Sequence, residues 1–325
     1  MPITRRTFLE AIPFGAAAQS AMGAKNDPKT GMPTRILGKT GARVSVAAMG
    51  CGSRLLSYKE EEKAVEALHK AMDLGVTYID TAYGYGSGKS EGWVGKAIAG
   101  RRNGLWIATK INERDGAKAE KILEASMKRL GVDQVDLIHV HSLLGADDLA
   151  KVEAADGVLK VLYKLRDQKV TRFIGVTSHT DPTTLKTAIE RHDFDCTQMA
   201  LNAALVGMTN GKGGMVINRE MKDSFEHIAL PAALKKKMGV TAMKLFAQDG
   251  LVNAAPIDTL IRYALSLPVA AAVMGMPKLD HIDENIRLTK AFKPLKKSEM
   301  MDLSKRLSHD HKARLDRFFS DHVDA

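Results

Sequence analysis

An aspartate (Asp80), two tyrosines (Tyr83 and Tyr85), a lysine (Lys110) and two histidines (His139 and His141) follow one another where apolar runs give way to polar turns. One acid, one phenol, one ammonium and one imidazole drawn from this set could move a proton to or from an oxygen atom. A free phenol, with a pKa of about 10, holds its proton too tightly for work near neutral pH. An ammonium beside it favours the phenolate, and a carboxylate beside the ammonium keeps that charge in place. An imidazole can hydrogen-bond the same substrate oxygen and orient it. Which tyrosine and which histidine belong to the set is left open by their close spacing. Hydrolysis between paired carboxylates is disfavoured, because only Asp80 is clearly placed for it.

The elements that must position these groups read as alternating strands and helices. The first strand is RVSVAAMGC (43 to 51), followed by a helix with Ala64, Val65, Leu68 and Met72 on one face. Further strands are read at 76 to 81, 105 to 110, 135 to 140, 171 to 177, 196 to 201, 239 to 245 and 268 to 275. Helical patterns follow at 90 to 99, 118 to 130, 156 to 168, 182 to 191, 222 to 237, 256 to 266 and 279 to 291. Eight such pairs imply right-handed crossovers, a parallel sheet and closure into a (β/α)8 TIM barrel. In that fold the chemistry lies at the C-terminal ends of the strands, where Asp80, Lys110 and the histidines fall. An open doubly wound sheet is the alternative, but the first turn, Gly50-Cys51-Gly52-Ser53-Arg54-Leu55, lacks the G-x-G-x-x-G pattern of such folds.

Three segments lie outside this alternation. Residues 34 to 42 read as an N-terminal β-hairpin plugging the bottom of the barrel, and the tail from Lys296 reads as two C-terminal helices packed outside it. The Gly-rich stretch 207 to 219 is too irregular for a phosphate-cradling loop and is read as a surface loop or lid.

The 325 residues suit one barrel domain with short extensions, since such a core needs about 250 residues. At 45% hydrophobic and 26% charged, the composition is that of a globular protein. The net charge of +10 is spread along the chain without aromatic interleaving, so a nucleic-acid partner is not expected; the charge would instead favour encounter with an anionic cofactor or substrate. Cys51 and Cys196 lie in separate apolar segments and read as buried free thiols. No metal-ligand spacing is present, and His309-Asp310-His311 reads as a solvated helix face.

At the N-terminus, Thr4-Arg5-Arg6-Thr7-Phe8-Leu9-Glu10 precedes a short apolar run (11 to 18) and small residues around Ala21 to Ala24. This resembles a twin-arginine export signal, and it sets the expected organisation: residues 1–24 as signal, residues 25–325 as the barrel domain. The apolar run is too short to span a bilayer, which needs about 20 apolar residues, so no stable membrane insertion is expected. The resemblance implies engagement with the twin-arginine export machinery and a periplasmic location, or a cytoplasmic one should the signal not function. That route carries folded proteins and suits those that take up a cofactor before export.

DTAYGYGSGKSEGWVGKAI (80 to 98), IATK (107 to 110), DLIHVH (136 to 141), LGKTGARVS (37 to 45) and HIDEN (281 to 285) together resemble the aldo-keto reductases over nearly all of the chain beyond residue 24. The resemblance implies a catalytic set of Asp80, Tyr85, Lys110 and His141, since the family's spacing selects Tyr85 over Tyr83 and His141 over His139. It implies hydride transfer between a nicotinamide cofactor and a carbonyl, with the tyrosine supplying the proton. Ser178, His179 and Gln198 fall where relatives bind the nicotinamide carboxamide, His179 replacing the more usual asparagine. Met243 occupies the place of a stacking aromatic, and Lys244 could pair with the pyrophosphate. Glu284 and Asn285 match residues that contact the adenosine. The two basic residues that grip the 2′-phosphate of NADP fall on Gly275 and His281, with Lys278 a potential substitute. NADP is expected ahead of NAD on the family's habit. The substrate is expected to be a sugar, small aldehyde or ketone, or the matching alcohol, chosen by segments 52 to 59, 142 to 155 and 207 to 224 and by the tail. A cofactor-binding sensor with weak catalysis is the alternative from another class, and the presence of all four catalytic types argues against it.

Overall fold

The computed structural model describes residues 23–211, 214–217 and 223–310. Eight parallel strands form a closed barrel: β4 (Ala47–Gly50), β5 (Tyr78–Asp80), β6 (Trp106–Ile111), β7 (Val135–Val140), β8 (Thr171–Ser178), β9 (Cys196–Ala200), β12 (Gly239–Met243) and β13 (Ala271–Gly275). β12 pairs with both β9 and β13, and β13 pairs with β4, which closes the ring. The architecture is the (β/α)8 barrel that the alternation of elements predicts.

The apolar run 43 to 51 is not one strand. β3 (Arg43–Ser45) pairs antiparallel with β2 (Pro33–Ile36), which also pairs with β1 (Lys25–Asn26), while β4 alone enters the barrel. The break comes at Ser45, whose hydroxyl donates to the Ala47 carbonyl at 2.6 Å and whose own amide donates to Thr77 Oγ1 at 2.9 Å. A short side chain that hydrogen-bonds nearby backbone turns the chain out of one sheet and into the other.

This small sheet seals the N-terminal end of the barrel. Leu37 and Val44 are buried with Ala48, Tyr78, Trp106, Leu137, Cys196 and Val273 in the barrel interior. Gly38 has φ +50°, and a Cβ there would lie 2.3 Å from the Gly239 amide nitrogen, so only glycine lets the turn press on the start of β12. Buried Arg35 donates to the carbonyls of Val269 (2.6 Å) and Leu265 (2.9 Å), and Lys39 pairs with Asp193 at 2.9 Å.

Helices cover the outside of the barrel: α1 (Ser53–Leu56), α2 (Glu61–Asp73), α3 (Lys89–Ile98), α4 (Gly116–Leu130), α5 (Ala146–Glu153), α6 (Val158–Asp167), α7 (Pro182–Arg191), α8 (Phe225–Lys235), α9 (Ile257–Ser266) and α10 (Leu279–Lys290). α2 shows why they form: Ala64, Ala67, Leu68, Ala71 and Met72 make one buried stripe at helical spacing. α7 starts where Asp181 accepts from the amides of Thr183 (2.8 Å) and Thr184 (3.1 Å) ahead of Pro182, a cap worth about 1 kcal/mol.

One further reading is corrected, and a second is met in part. Segment 207 to 219 holds a hairpin of β10 (Met208–Gly211) and β11 (Gly214–Ile217) rather than an irregular loop, anchored by the Met208 amide on the His179 carbonyl. Asn210 and Gly211 belong to the pairing itself, opposite Met215 and Gly214, which the glycine content obscured. Of the two C-terminal helices expected, α11 (Lys297–Asp310) is present, and the remainder of the tail lies outside the described residues. The twin-arginine segment also lies outside them up to residue 22. Among the described residues no helix is long and apolar enough to cross a membrane.

Candidate active site

At the C-terminal end of the barrel, register aligns Asp80 of β5 with Ala108 of β6, and Lys110 of β6 with His139 of β7. Lys110 therefore reaches across to the end of β5. Its Nζ donates to Asp80 Oδ2 at 2.7 Å, to the Thr81 carbonyl at 2.8 Å and to the Tyr85 hydroxyl at 3.2 Å. All three donors of the ammonium are thereby used, which fixes its position. The ammonium also lies 4.9 Å from the centre of the Tyr85 ring.

Tyr85 stands in a tight loop after β5, where Gly86, Ser87 and Gly88 all have positive φ and the Ser90 amide donates to the Tyr85 carbonyl. Its ring rests on Gly52, where an added Cβ would lie 3.4 Å from Cζ. Tyr83 faces elsewhere, with the Arg129 guanidinium 5.3 Å from its ring centre and Arg129 in turn paired with buried Glu91 at 2.8 Å.

His141 follows β7 directly, and its amide donates to the Ile111 carbonyl. Its ring meets that of Tyr85 edge-on, with centroids 5.4 Å apart, and its Nδ1 lies 2.9 Å from Asn112 Oδ1. His139 is instead buried inside the barrel, against Gly175 of β8. Neither of its ring nitrogens has a hydrogen-bond partner.

The electrostatics follow from burial. Burial pushes the Asp80 carboxyl above the usual carboxylate range, with Lys110 pulling the other way. Burial also works against the Lys110 ammonium, but Asp80 and then Tyr85 more than offset it and its pKa is raised, so the lysine is charged at neutral pH. Burial, followed by Lys110, His179, Arg114 and His139, holds His141 well below the ordinary histidine value. Its imidazole is neutral at pH 7 and carries one N–H.

Asp80 and Tyr85 open onto a cavity of about 120 Å³ that is also lined by Gly50, Gly52, Arg54, Gln198, Met243, Lys244, Gln248, Asp249 and Gly275. Gln198 Nε2 lies 3.4 Å from Asp80 Oδ2, while its Oε1 is buried without a partner, as is Gln248 Nε2. An Arg54–Asp249 ion pair joins α1 to the loop after β12 across this cavity. In that loop three consecutive non-glycine residues, Ala247, Gln248 and Asp249, have positive φ (44°, 54° and 75°). Each costs roughly 1 kcal/mol, strain of the kind found where backbone is shaped for a ligand.

The remaining sequence-derived residues are placed less centrally. Ser178 Oγ donates to the Leu143 carbonyl at 2.7 Å, and the His179 ring lies within 3.1 Å of Ser142 Oγ; neither lines the cavity. His281, Glu284 and Asn285 sit on α10 and do not line it either, with Asn285 buried and Glu284 exposed. Sequence reasoning missed Asn112, Arg54 and Gln248. The first is two residues beyond Lys110 at a strand end, a signal available but unused. The other two are brought in by loop geometry alone. Cys51 and Cys196 are free and buried, and among the described residues no cluster of His, Cys, Asp and Glu is arranged to hold a metal.

Residues 48–254, more than half of the chain, match the family model for aldo/keto reductases. The chain belongs to the aldo/keto reductase family. It is 34% identical to the aldo-keto reductase YhdN of Bacillus subtilis over 149 residues, an alignment that spans 42% of this chain and 43% of that protein. Among solved structures, an aldo-keto reductase of Bacillus halodurans superposes with a TM-score of 0.69 at 22% identity, covering 84% of this chain and 96% of that one. One from Klebsiella pneumoniae, solved with NADPH, superposes at 0.64 with 21% identity, covering 84% and 94%. At such identities the superpositions speak for the shared barrel of the family.

Proposed function

We propose that this aldo/keto reductase interconverts carbonyl compounds and alcohols with NADP(H), with Tyr85 as the general acid. The observation that carries the reading is the single Lys110 ammonium bonded at once to buried Asp80 and to the Tyr85 hydroxyl at the edge of a cavity. The cavity's residues fit a nicotinamide. The unpartnered Gln198 Oε1 is an acceptor for a carboxamide N–H, and the Gln248 amide is a free donor. Gln198, with Lys244 and Gly275 at the same cavity, is the chief group holding that end of the cofactor. Ser178 and His179 would support it from below, and His281, Glu284 and Asn285 would meet its adenosine end. NADP in preference to NAD is supported by the NADPH bound in the Klebsiella relative.

When bound, the reduced cofactor would supply a hydride to the carbonyl carbon. Tyr85 gives its proton to the carbonyl oxygen, and the phenolate left behind is stabilised by Lys110, which Asp80 keeps charged and in place. His141, neutral, positions the substrate oxygen between itself and Tyr85. General acid catalysis of this kind contributes about 10²- to 10⁴-fold. Reduction of 4-nitrobenzaldehyde by NADPH should therefore fall by that factor in Tyr85→Phe, with NADPH affinity by fluorescence titration unchanged. Binding without turnover in the wild type would point to a sensor, and no binding of NADPH or NADH would overturn the reading.

We further propose that residues 1–24 direct twin-arginine export of the barrel domain, residues 25–325, to the periplasm. The support is the Arg5-Arg6 pair with Phe8-Leu9 at the following positions and a short apolar run behind. Replacing both arginines by lysine should retain the full-length chain in the cytoplasm on cell fractionation, and unchanged periplasmic recovery would refute the signal.

A further inference from the structure

The barrel interior next to the catalytic set is lined by polar side chains that the protein itself does not satisfy. Tyr78 and Asp80 of β5, His139 of β7 and Thr241 of β12 are all at most 2% exposed. Strand alternation turns them inward. Tyr78 belongs to the interior cluster, Asp80 stands two residues beyond it, His139 stands two beyond Leu137 of that cluster, and Thr241 is level with Ala271 of it. The two hydroxyls, both ring nitrogens of His139 and Asp80 Oδ1 have no hydrogen-bond partner among the described residues. Buried polar groups are paired with protein or ordered water in about 90% of cases or more, so four such side chains in one core call for a ligand.

That ligand must be small and must both donate and accept. Burial and then Lys110 hold His139 well below the ordinary histidine value, so its neutral ring offers one donor and one acceptor. The hydroxyls can do either, and Asp80 Oδ1 accepts, its Oδ2 already receiving Lys110 at 2.7 Å and Gln198 at 3.4 Å. Water meets this mixture. Room for it comes from the neighbouring strands. Register sets Ala48 beside Tyr78, Ala108 beside Asp80 and Ala271 beside Thr241, where barrels of this kind commonly carry branched side chains. The groups also converge. Burial, then Asp80 and the Cys196 thiol, push Tyr78 far above the ordinary phenol range, which brings its hydroxyl within reach of both. From the other wall, the Cβ position at Gly175 is 2.4 Å from His139 Nδ1 and 2.7 Å from the Cys196 carbonyl oxygen.

We propose that this interior binds a small cluster of water through Tyr78, His139, Thr241 and Asp80 Oδ1, and that His139 is a positioning residue which, through that water, keeps the Asp80 carboxylate ionised beside Lys110. The proposal deepens the reading in which Lys110, held charged by Asp80, serves Tyr85, and it rests on that reading. A water donating to Oδ1 favours the charged form that burial opposes. The groups facing Asp80 are Lys110, Gln198, Tyr78 and Cys51, of which Lys110 alone is a cation.

The test uses the full chain without added ligand. Relaxation dispersion of water ¹⁷O counts long-lived internal water, and ¹³C NMR of labelled aspartate follows the Asp80 carboxyl against pH, assigned by its loss in Asp80→Asn. His139→Leu and Thr241→Val should each lower the dispersion amplitude by about one water molecule or more. His139→Leu should also raise the Asp80 pKa by about one unit or more. His139→Gln, which again offers a donor and an acceptor, should restore both. In steady state, the acid limb of kcat for reduction of 4-nitrobenzaldehyde should move to higher pH with Asp80 in His139→Leu and return in His139→Gln. An amplitude unchanged in both His139→Leu and Thr241→Val would mean a dry interior and overturn the site. Thr241→Val nearly preserves shape, so the count stays readable should His139→Leu not fold. Equal Asp80 shifts in His139→Leu and His139→Gln, the mark of a merely structural role, or an unmoved Asp80 in both, would overturn the positioning. Should NADPH not be turned over, the reductase reading falls separately. The amplitude and the Asp80 titration need no cofactor and still decide.

Discussion

Glu226 offers the sharpest test of the energetics. It lies on α8, is buried, and accepts from the Tyr263 hydroxyl of α9 at 2.8 Å, while Ser304 of α11 donates to the same hydroxyl at 2.8 Å. Burial pushes its pKa from an ordinary 4.5 up to about 7, with the Tyr263 hydrogen bond opposing the rise. Between these values the unfolded chain releases the proton and the folded chain keeps it. The unfolded state then binds fewer protons, so the contribution of Glu226 to stability is full below pH 4.5 and is lost as pH rises through 7. At about 1.4 kcal/mol per pH unit the loss amounts to about 3 kcal/mol. Glu226→Gln keeps an acceptor for Tyr263 and cannot ionise. Urea unfolding should find the two proteins similar near pH 4.5 and the variant more stable by roughly 3 kcal/mol at pH 8. A stability difference that stays the same across this range would refute the argument that Glu226 is folded in its neutral form.

Two further outcomes follow from the barrel itself. Lys110→Met leaves Asp80 buried without its cation and should cost about 3–5 kcal/mol, most of it regained in Asp80→Asn/Lys110→Met, as urea titration of both variants would show. Gly175→Ala would place a methyl 2.4 Å from His139 Nδ1 and 2.7 Å from the Cys196 carbonyl oxygen. It should lower stability by about 1–3 kcal/mol in thermal unfolding, and His139→Ala should relieve only part of this because the second contact is backbone.

The fold was legible because each repeat pairs a short apolar run with an amphipathic helix, as in β6 and α4, and such alternation leaves few closed solutions. The misreadings came where apolar character is not the deciding quantity. Arg43 to Cys51 is mostly apolar, but the corner at Ser45 is made by the hydrogen bonds of its hydroxyl and amide. The hairpin at β10 and β11 was hidden because a glycine-rich composition suggests a loop, although Gly211 and Gly214 pair with each other within it. α5 is only eight residues long, too short for helical spacing to stand out from the polar loop around it.

The candidate site divides along a physical line. Asp80 and Lys110 are fixed by strand register and His141 follows β7 directly, so their convergence could be anticipated from order alone. Tyr83 and Tyr85 sit in a loop, where alternation says nothing. What separates them is Arg129 of α4, which takes up the Tyr83 ring from outside the barrel, and the glycine at position 52, which leaves a surface for Tyr85 within it. The cavity's far wall is less legible still. Arg54, Gln248 and Asp249 meet through a short helix and a run of left-handed backbone that non-glycine residues do not advertise. Strand-borne Asp80 and Lys110 therefore anchor the set, whereas Tyr85 and the far wall of the cavity are brought to it by loops, the segments whose shape sequence patterns describe least.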